Sequence, residues 1–352
     1  MPIFQSDTLH QIGYKLFEAT GCSPQDAKAV VDHLVESNLF GHDSHGAIRF
    51  YEYCQSIRNG LFDPKAQPKI VREHTCTAVV DAHNALGQVG ATFATNLAIQ
   101  KAKEHGIATV SLRNTSHIGR VGAYPLMAAR EGLIGLIFVN AGREGYKVAP
   151  FGGAEGRLST NPIGYSAPRK NDHPLLMDLT TSVVADGKVR VAINQGVPIP
   201  EGWAIDSDGT PTTDPNRVRG DAPQGALLPM GGVVAHKGYG LSLLVEIMGG
   251  ALSGQGVASG ERNMKSNGVL LTVYNIEHFM DLADYYAELE TLIAHVKSCP
   301  PQPGFDEILL PGEPEFRSAT QKQKDGIVVD DTTWETICDE ARAFGLDPAK
   351  WQ

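Results

Sequence analysis

Between residues 76 and 140 the chain alternates short β-rich runs, "TAVVDA", "IATVSLR" and "LIGLIFVN", with helical stretches, "QVGATFATNLAIQKAKEHG" and "GRVGAYPLMAAREG". Strands separated by single helices bury their apolar faces only in layers, so this stretch predicts an α/β domain. The ends read differently. Ser6 precedes Leu9, Ile12, Leu16 and Phe17 at helical spacing, with Gly21 closing the turn. Ser23-Pro24-Gln25-Asp26 reads as a cap, a first-position proline and an acidic third residue ahead of Val30, Val31, Leu34 and Val35. Phe50, Tyr51, Cys54 and Ile57 carry a third helix to Asn59-Gly60, so residues 1–62 are expected to be all-helical. "HKGYGLSLLVEIMGGALSG" reads as helix, "GVLLTVY" as strand and residues 282–297 as helix. The tail "GIVVDDTTWETICDEARAFG" reads as strand then helix, with Thr332 and Glu335 spaced as a capping box. Residues 141–235, rich in Gly, Pro, Asp and Thr, are expected to be loops over this scaffold.

At 352 residues, 42% of them hydrophobic, the chain exceeds what one core usually supports. Its net charge of −10 and the absence of any Lys/Arg run argue against nucleic acid or an anionic membrane and favour a small ligand. Five cysteines, odd in number and widely spaced, suggest neither a disulfide framework nor a zinc ribbon and fit a reducing cytoplasm. No signal-peptide pattern opens the sequence and no apolar run is long enough to span a bilayer.

Titratable chemistry concentrates in "FGHDSHGAIRFYEY", residues 40–53. With Ser44 as cap of the third helix, His45 and Arg49 would share one face, an acid/base beside a cation that can fork onto a carboxylate. That pairing is what a 2-hydroxy or 2-oxo acid requires. Two other readings stand beside it: Ser44 and His45 as plain caps with a surface Arg49, and metal binding by His42, Asp43 and His45, for which no further cluster supplies a matching ligand. "RNTSHIGRVGAY" sets His117 at a strand end before Gly119 and Gly122, where a ligand could approach backbone or where the histidine is simply satisfied by the loop. "GRLSTNPIGYSAP" gives a donor-rich turn, and "MDLTTSVVADGKV" a strand-to-helix junction suited to a phosphate or to plain capping. "HKGYGL" offers His236 and Lys237 beside glycines. The strand-to-helix G-x-G-x-x-G fingerprint of dinucleotide binding is absent.

These stretches in order, "DSHG" with Arg49, "SHIG" with Gly122 and Tyr124, "APFGG", "STNP", "MDLTTS" with "GK", "PEGWAIDSDGTPTTDP", "LLPMGG", "HKGYGL" and "PGEPE", resemble the malate/L-lactate dehydrogenase family over roughly residues 5–345. That family includes ureidoglycolate dehydrogenase, diketogulonate reductase, sulfolactate dehydrogenase and cyclic imino-acid reductases. The resemblance implies a nicotinamide-dependent oxidoreductase with a non-Rossmann, mixed-sheet cofactor domain over residues 76–281. It also implies a helical domain built from residues 1–75 and 282–352, and a homodimer with sites near the subunit interface.

Carried over, His45 would be the proton donor and acceptor with Ser44 in a relay, and Arg49, Thr160 and His117 would contact substrate. His117, Ile118, Gly119, Arg120, Val121, Asp178, Leu179, Thr180, Asp186, Gly187, His236, Lys237, Gly312 and Glu313 would cradle the cofactor. No resident metal is implied. Asp186, placed by the resemblance near the adenosine ribose, favours NAD over NADP because a carboxylate accepts from a 2′-hydroxyl and repels a 2′-phosphate.

Lys188 stands at a relay position that is a carboxylate in the imino-acid reductases, which weighs against that activity. Ser159 replaces the family's usual glycine, and "NAGREGYKVAPFGG" is about three residues longer than usual, so Arg143, Glu144 or Tyr146 could reshape the pocket. The substrate is left open among malate, lactate, ureidoglycolate and sugar-derived 2-oxo acids. A metal-dependent hydrolase or a non-catalytic binding protein is the reading from another class.

Overall fold

The computed structural model of the chain describes residues 1–219, 225–261 and 266–351. Its ten α-helices among those residues are α1 (Ser6–Ala19), α2 (Pro24–Leu39), α3 (Ile48–Arg58), α4 (Gly87–His105), α5 (Ala123–Arg130), α6 (Asp186–Gln195), α7 (His236–Val245), α8 (Leu282–Lys297), α9 (Glu313–Asp325) and α10 (Asp331–Ala343). The strands are β1 (Ile3–Phe4), β2 (Lys69–Glu73), β3 (Thr77–Asp81), β4 (Ile107–Ser116), β5 (Ile134–Asn140), β6 (Ile163–Ala167), β7 (Leu175–Leu179), β8 (Ala204–Ile205), β9 (Pro211–Thr212), β10 (Ala226–Leu227), β11 (Ser266–Tyr274) and β12 (Ile327–Val328). No described helix is long and apolar enough to cross a membrane.

A seven-stranded sheet in the order β2-β3-β4-β11-β5-β6-β7 forms the centre, and only β3 and β4 run parallel. This mixed α/β sheet is not a doubly wound parallel one, in keeping with the missing glycine fingerprint. Helix α4 lies on it through Ala91, Ala94, Ala98 and Ala102, small residues at helical spacing that let backbone and sheet approach closely above Val80, Val110 and Leu112. Edge strand β2 is exposed along its length, and its Lys69, Arg72 and Glu73 blunt the open edge.

The chain ends meet. β1 pairs antiparallel with β12, and Ile327, Ile337, Ala341 and Trp351 share one core with Leu9, Leu16, Phe17, Val31 and Phe50. The first 62 residues are therefore not wholly helical, because the two-residue strand β1 needs a partner more than 300 positions away that local periodicity cannot show. The cap of α10 also differs from expectation. Asp330, not Thr332, accepts the N–H of Thr333 at 2.9 Å.

Residues 141–235 are more than loops. They supply β6 and β7 to the main sheet, and α6 packs with the small sheet β10-β8-β9 on a separate core of Val148, Leu158, Val189, Ile199, Ala204, Val218 and Leu227. Short strands broken by Gly and Pro hide that core from a periodicity reading.

Candidate active site

A cleft of about 930 Å³ opens between this small core, the main sheet and the helices of the N-terminal end. Its floor comes from the turn between α2 and α3. Asp43–His45 form a single 3₁₀ turn, and α3 begins only at Ile48, so Ser44 is not the helix cap the spacing suggested. The cap comes instead from α2: buried Asn38 accepts the Ala47 N–H through Oδ1 at 2.7 Å and donates through Nδ2 to Asp43 at 2.7 Å. A Cβ on Gly46 would lie 2.2 Å from Asn38 Oδ1, which is why glycine stands there.

Released from capping, Ser44 places its hydroxyl 3.0 Å from His45 Nδ1. Arg49, in the first turn of α3, donates through Nε to the Ser44 carbonyl at 2.9 Å and through Nη1 to Glu52. Glu52 also receives Arg190 of α6 at 2.9 Å, so one carboxylate serves two guanidinium groups and leaves the pair net cationic. The expected union of His45 with Arg49 therefore holds, by a different backbone route.

The second half of the cleft is the turn after β4. His117 stacks on His45 with ring centroids 5.5 Å apart, and Tyr53 Oη lies 2.8 Å from His117 Nδ1. The following glycine turn is fastened at three points. Ile118 N–H donates to Asn267 Oδ1 at 3.0 Å, Arg120 N–H to His33 Nε2 at 2.8 Å, and Gly122 N–H to Asp178 Oδ2 at 2.7 Å. Gly119 has φ +80°, and a Cβ there would sit 2.2 Å from His33 Nε2. Burial, then the positive charge of Arg49, with Arg120 and Arg190 further off, pushes the His45 imidazole down to about 3. Burial, then Arg49, His45, His33 and Lys147, hold His117 well below the ordinary histidine range, so both rings are neutral near pH 7.

Of the residues singled out from sequence, the cleft gathers Ser44, His45, Arg49, His117, Ile118, Gly119, Arg120, Val121, Thr160, Asp178, Leu179, Thr180, Asp186, Gly187 and Lys188. Ser159, Glu144 and Tyr146 line it too, whereas Arg143 turns outward to Glu261 at 3.3 Å. Lys188 is exposed on the wall, and its side chain forms no hydrogen bond or ion pair with Ser44 or His45.

Four expected cofactor residues lie elsewhere. His236 and Lys237 are exposed at the start of α7, with His236 edge-on to Phe151 at 5.7 Å. Glu313 spends its carboxylate on Lys297 at 2.6 Å and the Leu310 N–H at 2.9 Å, beside a separate cavity. Gly312, with φ +98°, serves packing, since a Cβ there would approach Leu176 Cβ to 3.0 Å.

Asp186 also needs correcting. It pairs with Arg219 at 3.2 Å and Lys147 at 3.9 Å, and a Cβ on neighbouring Gly187 would be 3.0 Å from Ser44 Cβ. That places it at the His45 end of the cleft with its charge already met, so the preference for NAD drawn from it loses its premise. The metal alternative fares no better on geometry. His42 turns to Glu315 at 3.5 Å while Asp43 takes Asn38 and Lys322, and among the described residues no group of three or more His, Cys, Asp or Glu could hold a metal ion.

Sequence reading missed Glu52, Tyr53, Gln88, Asn267 and Arg190. Tyr53 follows Arg49 by four residues on α3, so a helical-face count from Arg49 was the available signal.

The family model for malate/L-lactate dehydrogenase matches residues 4–338. Hydroxycarboxylate dehydrogenase B of Escherichia coli is 40% identical over 349 residues, 97% of this chain and 94% of that protein. L-sulfolactate dehydrogenase of Methanocaldococcus jannaschii is 38% identical over 333 residues, 93% of each chain. Among solved structures, sulfolactate dehydrogenase from Methanocaldococcus jannaschii superposes with TM-score 0.87 at 34% identity, covering 99% of each chain. Malate dehydrogenase from Pyrococcus horikoshii does so with TM-score 0.88 at 35% identity, covering 98% of this chain and 96% of that one.

Proposed function

Because the chain belongs to the malate/L-lactate dehydrogenase family, we propose that it moves hydride between a nicotinamide dinucleotide and a small 2-hydroxy or 2-oxo carboxylic acid bound between His45 and Arg49. The observation that carries this reading is the stack of two neutral histidines beside a partly neutralised arginine cluster in one cleft.

The residues fit the cofactor class. Arg120 is buried with its guanidinium over the Phe40 ring and Nη2 on Glu36, while its Nε and Nη1 have no hydrogen-bond acceptor, and Asn161 Oδ1 likewise has no donor. A phosphate suits the first and an amide N–H the second. The 118–122 turn and Asp178–Thr180 would complete the cradle. When bound, the nicotinamide ring supplies or accepts the hydride.

The chain's own side chains account for the rest. Arg49 retains Nη2 for the substrate carboxylate after its bonds to Ser44 and Glu52. Neutral His45 takes the hydroxyl proton in oxidation and returns it in reduction, with Ser44 holding its ring. A carboxylate arriving at Arg49 offsets one of the cations that depress His45, so substrate binding itself raises the ring's affinity for a proton.

Two copies are proposed to pair through the apolar surface that begins before α7, where Val233 is 98%, Ile247 58% and Leu252 61% exposed. His236 and Lys237 stand on this face. A cytoplasmic setting fits five unpaired cysteines.

The test is a screen of pyruvate, oxaloacetate and other 2-oxo acids with NADH and NADPH in parallel. Turnover of at least one acid is expected, and its coenzyme ratio decides between NAD and NADP. No turnover with any pair would refute the reading.

A further inference from the structure

His117 carries a hydrogen-bond arrangement that the proposed reaction has not used. The Gly119 N–H donates to its Nδ1 at 3.3 Å, and a backbone N–H has no other role to take. Tyr53 Oη lies 2.8 Å from the same nitrogen and 3.3 Å from the His117 carbonyl. Gln88, fully buried in the first turn of α4, donates through Nε2 to Tyr53 Oη at 3.2 Å and approaches the His117 carbonyl at 3.5 Å. This orientation keeps Oε1 away from that carbonyl and leaves Oε1 buried without a donor. Having accepted from Gln88, the Tyr53 hydroxyl gives its own proton to the nearer acceptor, Nδ1. A neutral imidazole holds one N–H, and with Nδ1 accepting, that N–H is on Nε2.

The surroundings prevent relaxation. Tyr53 is 3% exposed, and a Cβ on Gly87 would lie 2.2 Å from the His117 carbonyl oxygen, so the start of α4 abuts the ring's own backbone. Arg49 and Lys147 oppose a second proton on the ring. His45 differs, since its Nδ1 meets the Ser44 hydroxyl, which donates or accepts with equal ease.

We propose that Tyr53, backed by Gln88, fixes His117 as an Nε2–H hydrogen-bond donor to the substrate oxygen, leaving proton transfer to His45. Tyr53 is thus a positioning residue that acts through His117. This inference rests on the dehydrogenase reading, but its first test does not depend on turnover.

That test is the nitrogen-15 NMR spectrum of histidine rings in the full-length, ligand-free protein near neutral pH, with His117→Asn used to assign the His117 signals. A protonated Nε2 and a bare Nδ1 are expected, and Tyr53→Phe should shift this pattern toward a mixture of tautomers. In steady state, Tyr53→Phe should lower kcat about 10-fold, the effect of one ordinary hydrogen bond, with cofactor Kd unchanged. An Nδ1–H tautomer or an imidazolium at His117 in the wild type would overturn the proposal. So would a Tyr53→Phe variant with normal kcat. If no 2-oxo acid is turned over, the dehydrogenase reading fails while the spectrum still reports the tautomer.

Discussion

His45 and His117 stack in one cleft, both shielded and both uncharged, yet the first has its Nδ1 against a hydroxyl that can turn and the second against a backbone N–H and the Gln88-backed Tyr53. The first arrangement tolerates a proton on either ring nitrogen. The second does not. Two rings of the same kind, at nearly the same depth, are thereby given different work by the atoms behind them. Both are stapled to α2 by a buried polar side chain, Asn38 for the His45 turn and His33 for the His117 turn. Helix α2 therefore sets the spacing between the two halves.

The largest effect that sharpens this contrast is on His45. Its replacement by alanine should lower kcat by about 10²–10⁴ while cofactor binding, followed by NADH fluorescence, persists. His117→Ala should weaken substrate or cofactor binding as well as turnover. If His45→Ala retains near-normal kcat while His117→Ala abolishes it with binding intact, the assigned roles are exchanged.

Arg49 comes next. Arg49→Ala removes a charge-assisted pair worth roughly 2–5 kcal/mol in a desolvated site, so kcat/KM on the best 2-oxo acid should fall about 30-fold or more. Lysine should rescue only in part, because it cannot bridge Ser44, Glu52 and substrate as one planar group does. An unchanged kcat/KM in Arg49→Ala would remove the carboxylate anchor from the account.

The two staples give a smaller, structural contrast. Gly46→Ala sets a Cβ 2.2 Å from Asn38 Oδ1 and should break the buried bond to the Ala47 N–H, at about 1–3 kcal/mol in urea denaturation. Gly119→Ala meets His33 at the same distance and adds a left-handed φ, worth about 1–2 kcal/mol more. Equal midpoints for both variants and the wild type would show that α2 does not hold the halves.

The smallest effect belongs to His42, whose half-buried contact with Glu315 is worth about 1 kcal/mol at most. His42→Ala should leave kcat/KM within about 5-fold of the wild type. A loss as large as that of His45→Ala would move the acid/base role upstream.

The sequence showed which residues gather in the cleft better than how they are held there. Ser44, His45, Arg49 and His117 were legible because titratable residues cluster beside glycine turns, and order along the chain tied them to a family. The true cap of α3 was not, since Asn38 reaches it from the preceding helix across nine positions. Glu313 looked like a ligand residue until Lys297 and the Leu310 N–H were seen to occupy it. Tyr53 sat in an aromatic run that reads as core, and its partner His117 is 64 residues away. The small core of residues 148–227 stayed hidden because its strands are two residues long.

The central claim is that His45, not His117, carries the moving proton. It is tested most directly by single-turnover reduction of the best 2-oxo acid in His45→Ala and His117→Ala, with cofactor saturating and imidazole added to each. The account predicts that imidazole restores part of the rate in His45→Ala, in proportion to its protonated fraction, and leaves His117→Ala unrescued. Rescue of His117→Ala alone would contradict it.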